Sequence, residues 1–242
     1  MPEAVRLLAL AVVAFIAATL AAVTGFGGAA VLLPMLVLVF GVREAIPILT
    51  VAQLIGNGSR VWFNRHELDL KVVAWFALGG VPMAILGGML FAHAPLAPLT
   101  RVLGMFLILI VVWRHIPRGT MWRPPLQSFA AIGAVSSFLS ALLGSVGPLM
   151  APFFLAYGLV KGAYIGTEAL STVVMHVAKL IAYKQSAILP LHALLAGLAL
   201  GPLMVGGSLV GKKIVDRISE RVFTIIIELT LLAAGIGFLW KG

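Results

Sequence analysis

The chain has no cysteine and little charge: of its 242 residues only 10% are Asp, Glu, Lys or Arg, and acidic residues number 8. The missing thiols exclude disulfides, thiolate metal sites and cysteine nucleophiles together. A soluble domain carries about a quarter charged residues, and a surface this poor in them has too few polar groups to face water. The patterns H-E-x-x-H, G-x-S-x-G and the P-loop are absent, and Asp69 and Asp216 lie outside the apolar runs, so an intramembrane aspartyl pair is excluded. A Ser–His pair such as Ser145 with His176 is all that remains for catalysis, and the chain is read as a non-enzyme without metal or cofactor.

What is present is apolar residue, 62% of the total. Disorder is excluded by that abundance, which leaves an integral membrane protein. Uncharged runs cover 7–42, 72–100, 124–160 and 185–211. A span needs about 20 residues, so the first and third runs each hold nearly two. Each has a glycine cluster at its middle, Thr24-Gly25-Phe26-Gly27-Gly28 and Gly144-Ser145-Val146-Gly147-Pro148, where a helix is free to break. Ten apolar segments result, over 5–23, 28–42, 45–63, 71–92, 98–113, 126–143, 148–160, 163–183, 187–211 and 221–240.

The two sets of five resemble each other. Gly25-x-x-Gly28 matches Gly144-x-x-Gly147, Pro34 and Gly41 match Pro152 and Gly158, and Gly87-Gly88 matches Gly206-Gly207. The expected fold is an all-α transmembrane bundle of two inverted repeats with glycine-broken helices, residues 1–123 and 124–242, a pattern common in secondary transporters. Segment 5–23, with Arg6 and small residues near 17–22, also resembles a signal peptide. Segment 126–143 occupies the same place in the second half and cannot be cleaved, so its counterpart is read as structural.

The formal charge of +9 suggests anionic lipid heads and orientation rather than nucleic acid, because the cations lie in short loops. With ten crossings, Arg65, Lys71, Arg114, Arg118, Arg123, Lys161, Lys212, Lys213, Arg217 and Arg221 share one side, against Arg6, Arg43, Arg101, Lys184 and Lys241 on the other. With segments 28–42 and 148–160 re-entrant and eight crossings, the bias vanishes. Trp62, Trp75, Trp113, Trp122 and Trp240 lie near segment ends, as an aromatic belt would.

Two segments carry polar stripes. Gln53, Asn57, Arg60 and Asn64 fall on one helix face, and an offset of 119 maps them to Thr172, His176, Lys179 and Tyr183. A cation within the membrane is costly, and two at equivalent positions suggest an anion site between Arg60 and Lys179. Snorkelling toward the interface is the plainer reading of both. Gly27, Gly28, Ser145 and Gly147 suit a cradle in which broken helix ends offer N–H groups to an anion; close helix packing by small residues explains them equally. Glu168 and Glu228 lie inside apolar segments and either pair with the cations or carry protons. His176 is a proton carrier or a satisfied interior histidine.

Thr24-Gly-Phe-Gly-Gly-Ala-Ala-Val-Leu-Leu-Pro34, Gly41-Val-Arg-Glu-Ala45, Trp62-Phe-Asn-Arg65 and Glu67-Leu-Asp69, with Gly144–Pro152, Tyr157-Gly158 and Gly166-Thr-Glu-Ala169 in the second half, resemble the sulfite exporter TauE/SafE family over roughly 10–240. Ser145-Val146 interrupt the glycine pattern of the second copy. The resemblance implies a transporter of sulfur-containing anions such as sulfite, thiosulfate or organosulfonates in the bacterial inner membrane. The site residues rest on the stripes alone. An anion channel and a non-transporting scaffold are the other classes the stripes allow, and a homo-oligomer is compatible with each.

Overall fold

The structure is a computed structural model that describes residues 3–91, 123–144 and 146–241. Segment 98–113, with Ser145, His93, Trp113 and Trp122, lies outside the described residues. Described elements are helical throughout: α1 Glu3–Thr24, α2 Gly28–Phe40, α3 Val42–Phe63, α4 Leu70–Leu90, α5 Ser128–Leu143, α6 Gly147–Tyr157, α7 Lys161–Gln185, α8 Leu191–Ala199, α9 Gly201–Arg217 and α10 Glu220–Lys241.

Among the described residues four stretches are long and apolar enough to cross a membrane: Ala4–Thr24, Leu70–Leu90, Lys161–Gln185 and Leu191–Arg217. The last joins α8 and α9 through Leu200, whose backbone stays helical. It runs past the expected end at residue 211 because Lys212 bonds Asp216 one turn on, at 2.6 Å, which keeps the charged turn helical. By contrast α2 has 13 residues and α6 has 11. At 1.5 Å per residue these reach about 20 and 16 Å, short of a hydrocarbon core of about 30 Å.

Small residues let the helices approach closely. α1 packs on α9, where Gly207 and Gly211 meet Phe15, Ala18, Thr19 and Ala22. α4 packs on α5, where Gly79 and Gly87 meet Ala130, Phe138 and Ala141. Bulk at these glycines would force the helices apart, the usual constraint on contacts between membrane helices. α3 packs against α7 at the centre. Two apolar clusters flank this pair, one around Phe76, Phe129, Phe154 and Phe223, the other around Leu32, Leu36, Ile48 and Leu49.

Loop contacts fix which ends share a side. Arg123 donates from Nε to the Tyr157 carbonyl at 2.7 Å, the Asp69 amide donates to Thr167 Oγ1 at 2.9 Å, and the Glu67 carboxylate lies against Gly162. So 64–69, 123 and 157–162 sit together. At the other end of α3 and α7, Glu44 meets His192 at 3.1 Å. The eight-crossing arrangement would separate Arg123 from Lys161 and Glu44 from His192; these contacts join them. Each short helix therefore returns the chain to the side from which the helix before it set out.

Candidate functional site

The chain breaks between α1 and α2 and between α5 and α6 face a common interior. Gly25 and Gly27 have φ of 82° and 86°, and Gly144 has 79°, all in the left-handed region that favours glycine. At Gly25 the need is double, because the Tyr164 ring lies where a Cβ would be. The first turn is further tied by Thr24, whose Oγ1 donates to the Phe26 carbonyl at 2.6 Å, and by Tyr164, whose hydroxyl donates to the Thr24 carbonyl at 3.1 Å.

A helix that ends inside the bundle turns the carbonyls of its last turn inward, and a cation beside them is favourable. Both striped cations serve in this way. Arg60 Nη1 donates to the carbonyls of Ala21 and Gly25, each at 2.8 Å. Lys179 Nζ donates to the carbonyl and hydroxyl of Ser140, at 3.3 and 3.2 Å. The offset of 119 that relates Arg60 to Lys179 also relates Ala21 to Ser140 and Gly25 to Gly144. The amides repeat it: Gly25 N donates to Ala21 O and Gly144 N to Ser140 O, both at 2.9 Å.

The cations differ in their counter-charges. Arg60 lies 3.5 Å from Glu168 Oε2 and also bonds Asn57 Oδ1 through Nη2. Glu168 Oε1 accepts from Thr172 at 3.0 Å. Among the described residues no carboxylate pairs with Lys179, which is fully buried. Snorkelling is excluded for both: Arg60 and Lys179 are 4% and 0% exposed and turn inward.

Between the breaks lies a cavity of about 40 Å³. A water needs about 10–15 Å³ by the same measure, so the space suits a ligand of a few atoms. Gln53, Asn57, Arg60, Thr172, His176, Gly27, Gly28, Gly147 and Glu168 all line it. The structure thus gathers most of the residues read from the stripes and glycine clusters. Lys179 stands behind the wall, reaching it through Ser140, which does line it. Glu228 is on α10, half-buried and away from the lining.

The cavity offers donors. The N-termini of α2 and α6 open onto it at Gly27–Gly28 and Val146–Gly147, with no side-chain cap on either. Free N–H groups at a helix start attract anions. His176 is buried with no hydrogen-bond partner for Nδ1 among the described residues. Sequence reasoning missed Ser140, Tyr164 and the Ala21 and Gly25 carbonyls. Carbonyl partners carry no side-chain signal, and Ser140 stands out only once Ala21 is seen to bond Arg60, since Ala21 advanced by 119 is Ser140.

Comparisons with curated proteins and with solved structures gave no match. The family model described as sulfite exporter TauE/SafE matches residues 10–238.

Proposed function

The chain belongs to the sulfite exporter TauE/SafE family, an integral membrane transporter family, and from that premise we propose a secondary transporter that moves a small sulfur-containing anion by alternating access. The observation that carries this reading is the cavity itself, a space of a few atoms lined by the buried Arg60 and His176 and by two uncapped helix starts. Sulfite, thiosulfate and the head of an organosulfonate are oxyanions that match N–H donors and a guanidinium in kind. Gln53, Asn57 and Thr172 add neutral hydrogen-bonding groups, and Lys179 contributes its charge through Ser140.

The proposed repeats are residues 1–123 and 124–242, inverted in the membrane. Support comes from the matched pairs Arg60–Ala21 and Lys179–Ser140 and from the exchange of partners between halves, α1 with α9 and α5 with α4. Rocking of one half against the other about the α3–α7 contact would expose the cavity to each side in turn. Protons are the proposed coupling ion through Glu168 or His176, which line the cavity; Glu228 is the more remote candidate. The proposed location is the bacterial inner membrane, with 64–69, 123 and 157–162 cytoplasmic because that side holds most of the loop Lys and Arg.

Thermal melting of the detergent-purified protein against sulfite, thiosulfate, sulfate, a sulfonate, acetate and chloride tests the site. A ligand at 100 times its dissociation constant stabilises by about 2.7 kcal/mol. A sulfur oxyanion should raise the melting temperature of wild type and fail to raise that of Arg60→Ala. If no panel anion acts, or the variant responds like wild type, the site is wrong. Flux into proteoliposomes then separates the transporter from the channel: trans-side anion accelerates exchange through an alternating carrier and has no such effect on a pore.

A further inference from the structure

Among the described residues three charged side chains sit at or beside the cavity, and their formal charges do not cancel. Arg60 and Glu168 form a pair across α3 and α7. Among the described residues Lys179 hydrogen-bonds Ser140 and pairs with no carboxylate. All three are under 5% exposed. Helices α1, α2, α5 and α6 bring no ionisable side chain to the lining. Around Glu168 the ionisable groups are Arg60 from α3, which pairs with it, and Tyr164 and His176 from its own helix, one turn before and two turns after. With Arg60, Lys179 and Glu168 ionised and His176 and Tyr164 neutral, the described region carries one surplus positive charge.

The surplus has a structural origin. Moving back from Glu168 by the offset of 119 gives Leu49, which is fully buried. One half therefore supplies a carboxylate to the other half's cation, and the favour is not returned. A buried charge without a partner is costly, and an incoming anion of one charge is the group that cancels it. A dianion would overshoot, leaving one negative charge uncompensated.

We propose that Glu168 sets the charge of the anion this cavity accepts, a monoanion while its carboxylate is ionised and a dianion once it is neutralised. The inference rests on the transport-site reading above and deepens it. Oε2 of Glu168 holds the Arg60 guanidinium and Oε1 is held by Thr172, so the carboxylate is fixed in the cavity wall as a resident anion. The arriving ligand has to match what that resident leaves over. Within the proposed substrate class this separates a sulfonate or hydrogen sulfite from sulfite, sulfate or thiosulfate.

Methanesulfonate and sulfate make the test clean, because their charges stay fixed across the neutral range. Their dissociation constants are read from ligand-induced thermal stabilisation of the full chain. Wild type should prefer methanesulfonate, and Glu168→Gln should shift the ratio toward sulfate by about tenfold or more, the scale set by one unit charge a few ångströms away. Lys179→Met removes the surplus from the other direction and should shift the ratio further toward methanesulfonate, so the idea stays testable if Glu168→Gln does not fold. A ratio that stays at the wild-type value in either variant overturns the proposal while leaving the transport site standing. If neither anion stabilises wild type, the transport-site reading itself fails and takes this inference with it.

Discussion

Arg60 and Lys179 look alike in the sequence and should behave differently when replaced. Arg60→Ala leaves the Ala21 and Gly25 carbonyls and the Glu168 carboxylate without their cation. Removing one partner of a buried pair costs about 3–5 kcal/mol, so this variant should melt well below wild type. Adding Glu168→Gln should recover part of the loss, measured as a double-mutant cycle on melting free energies. Additive losses would show that the pair carries no coupling. Lys179→Met removes a buried cation that has no carboxylate, and the Ser140 carbonyl keeps its bond from the Gly144 amide. Its stability should fall within about 1 kcal/mol of wild type or above it, while anion-induced stabilisation declines. A large destabilisation would make Lys179 a structural cap. The stripe spacing placed both cations inside correctly; it did not separate them, because a counter-charge depends on which residue of a distant helix faces the cation. Glu168 and Arg60 are 108 positions apart, and no local period links them.

At the scale of elements, the breaks hold the site open. Gly25→Ala puts a Cβ into a left-handed residue, at about 1–2 kcal/mol for the backbone alone, and drives it into the Tyr164 ring. This variant should lose at least that much stability in a thermal melt and should bind the panel anions more weakly, since the break forms the cavity wall. Unchanged melting would mean that the turn adapts freely. Helix positions were largely legible, since long uncharged runs and paired glycine clusters mark their limits. α9 was misjudged at its C-terminal end because Lys212 and Lys213 read as a loop, whereas an i,i+4 pair with Asp216 carries the helix to Arg217. The lengths of α2 and α6 were also overestimated, since Gly41 and Gly158 end them within runs that stay apolar for residues beyond.

For the whole molecule, sidedness is the strongest prediction. The absence of native cysteine lets single thiols report it without background. His66→Cys, in the α3–α4 loop, and His192→Cys, in the first turn of α8, sit at opposite ends of the α3–α7 pair. In intact cells a membrane-impermeant thiol reagent should label His192→Cys and spare His66→Cys, and permeabilisation should expose both. Equal labelling in intact cells would overturn the arrangement. Loop charge points to which end is cytoplasmic; the Arg123–Tyr157 and Glu44–His192 contacts show only which helix ends lie together.

The unmatched lysine has an electrical consequence. In the proposed alternating-access cycle, a cavity with one surplus positive charge would move that charge through the membrane field when it reorients empty, and would move none when it carries a monoanion. Each elementary charge crossing the full field is worth about 2.3 kcal/mol per 100 mV. An inside-negative potential therefore draws the empty cavity toward the cytoplasm, where it reloads, and leaves the loaded cavity indifferent to voltage. Under the proposed alternating-access cycle such a carrier would be rectified toward export, because the return stroke alone would feel the field.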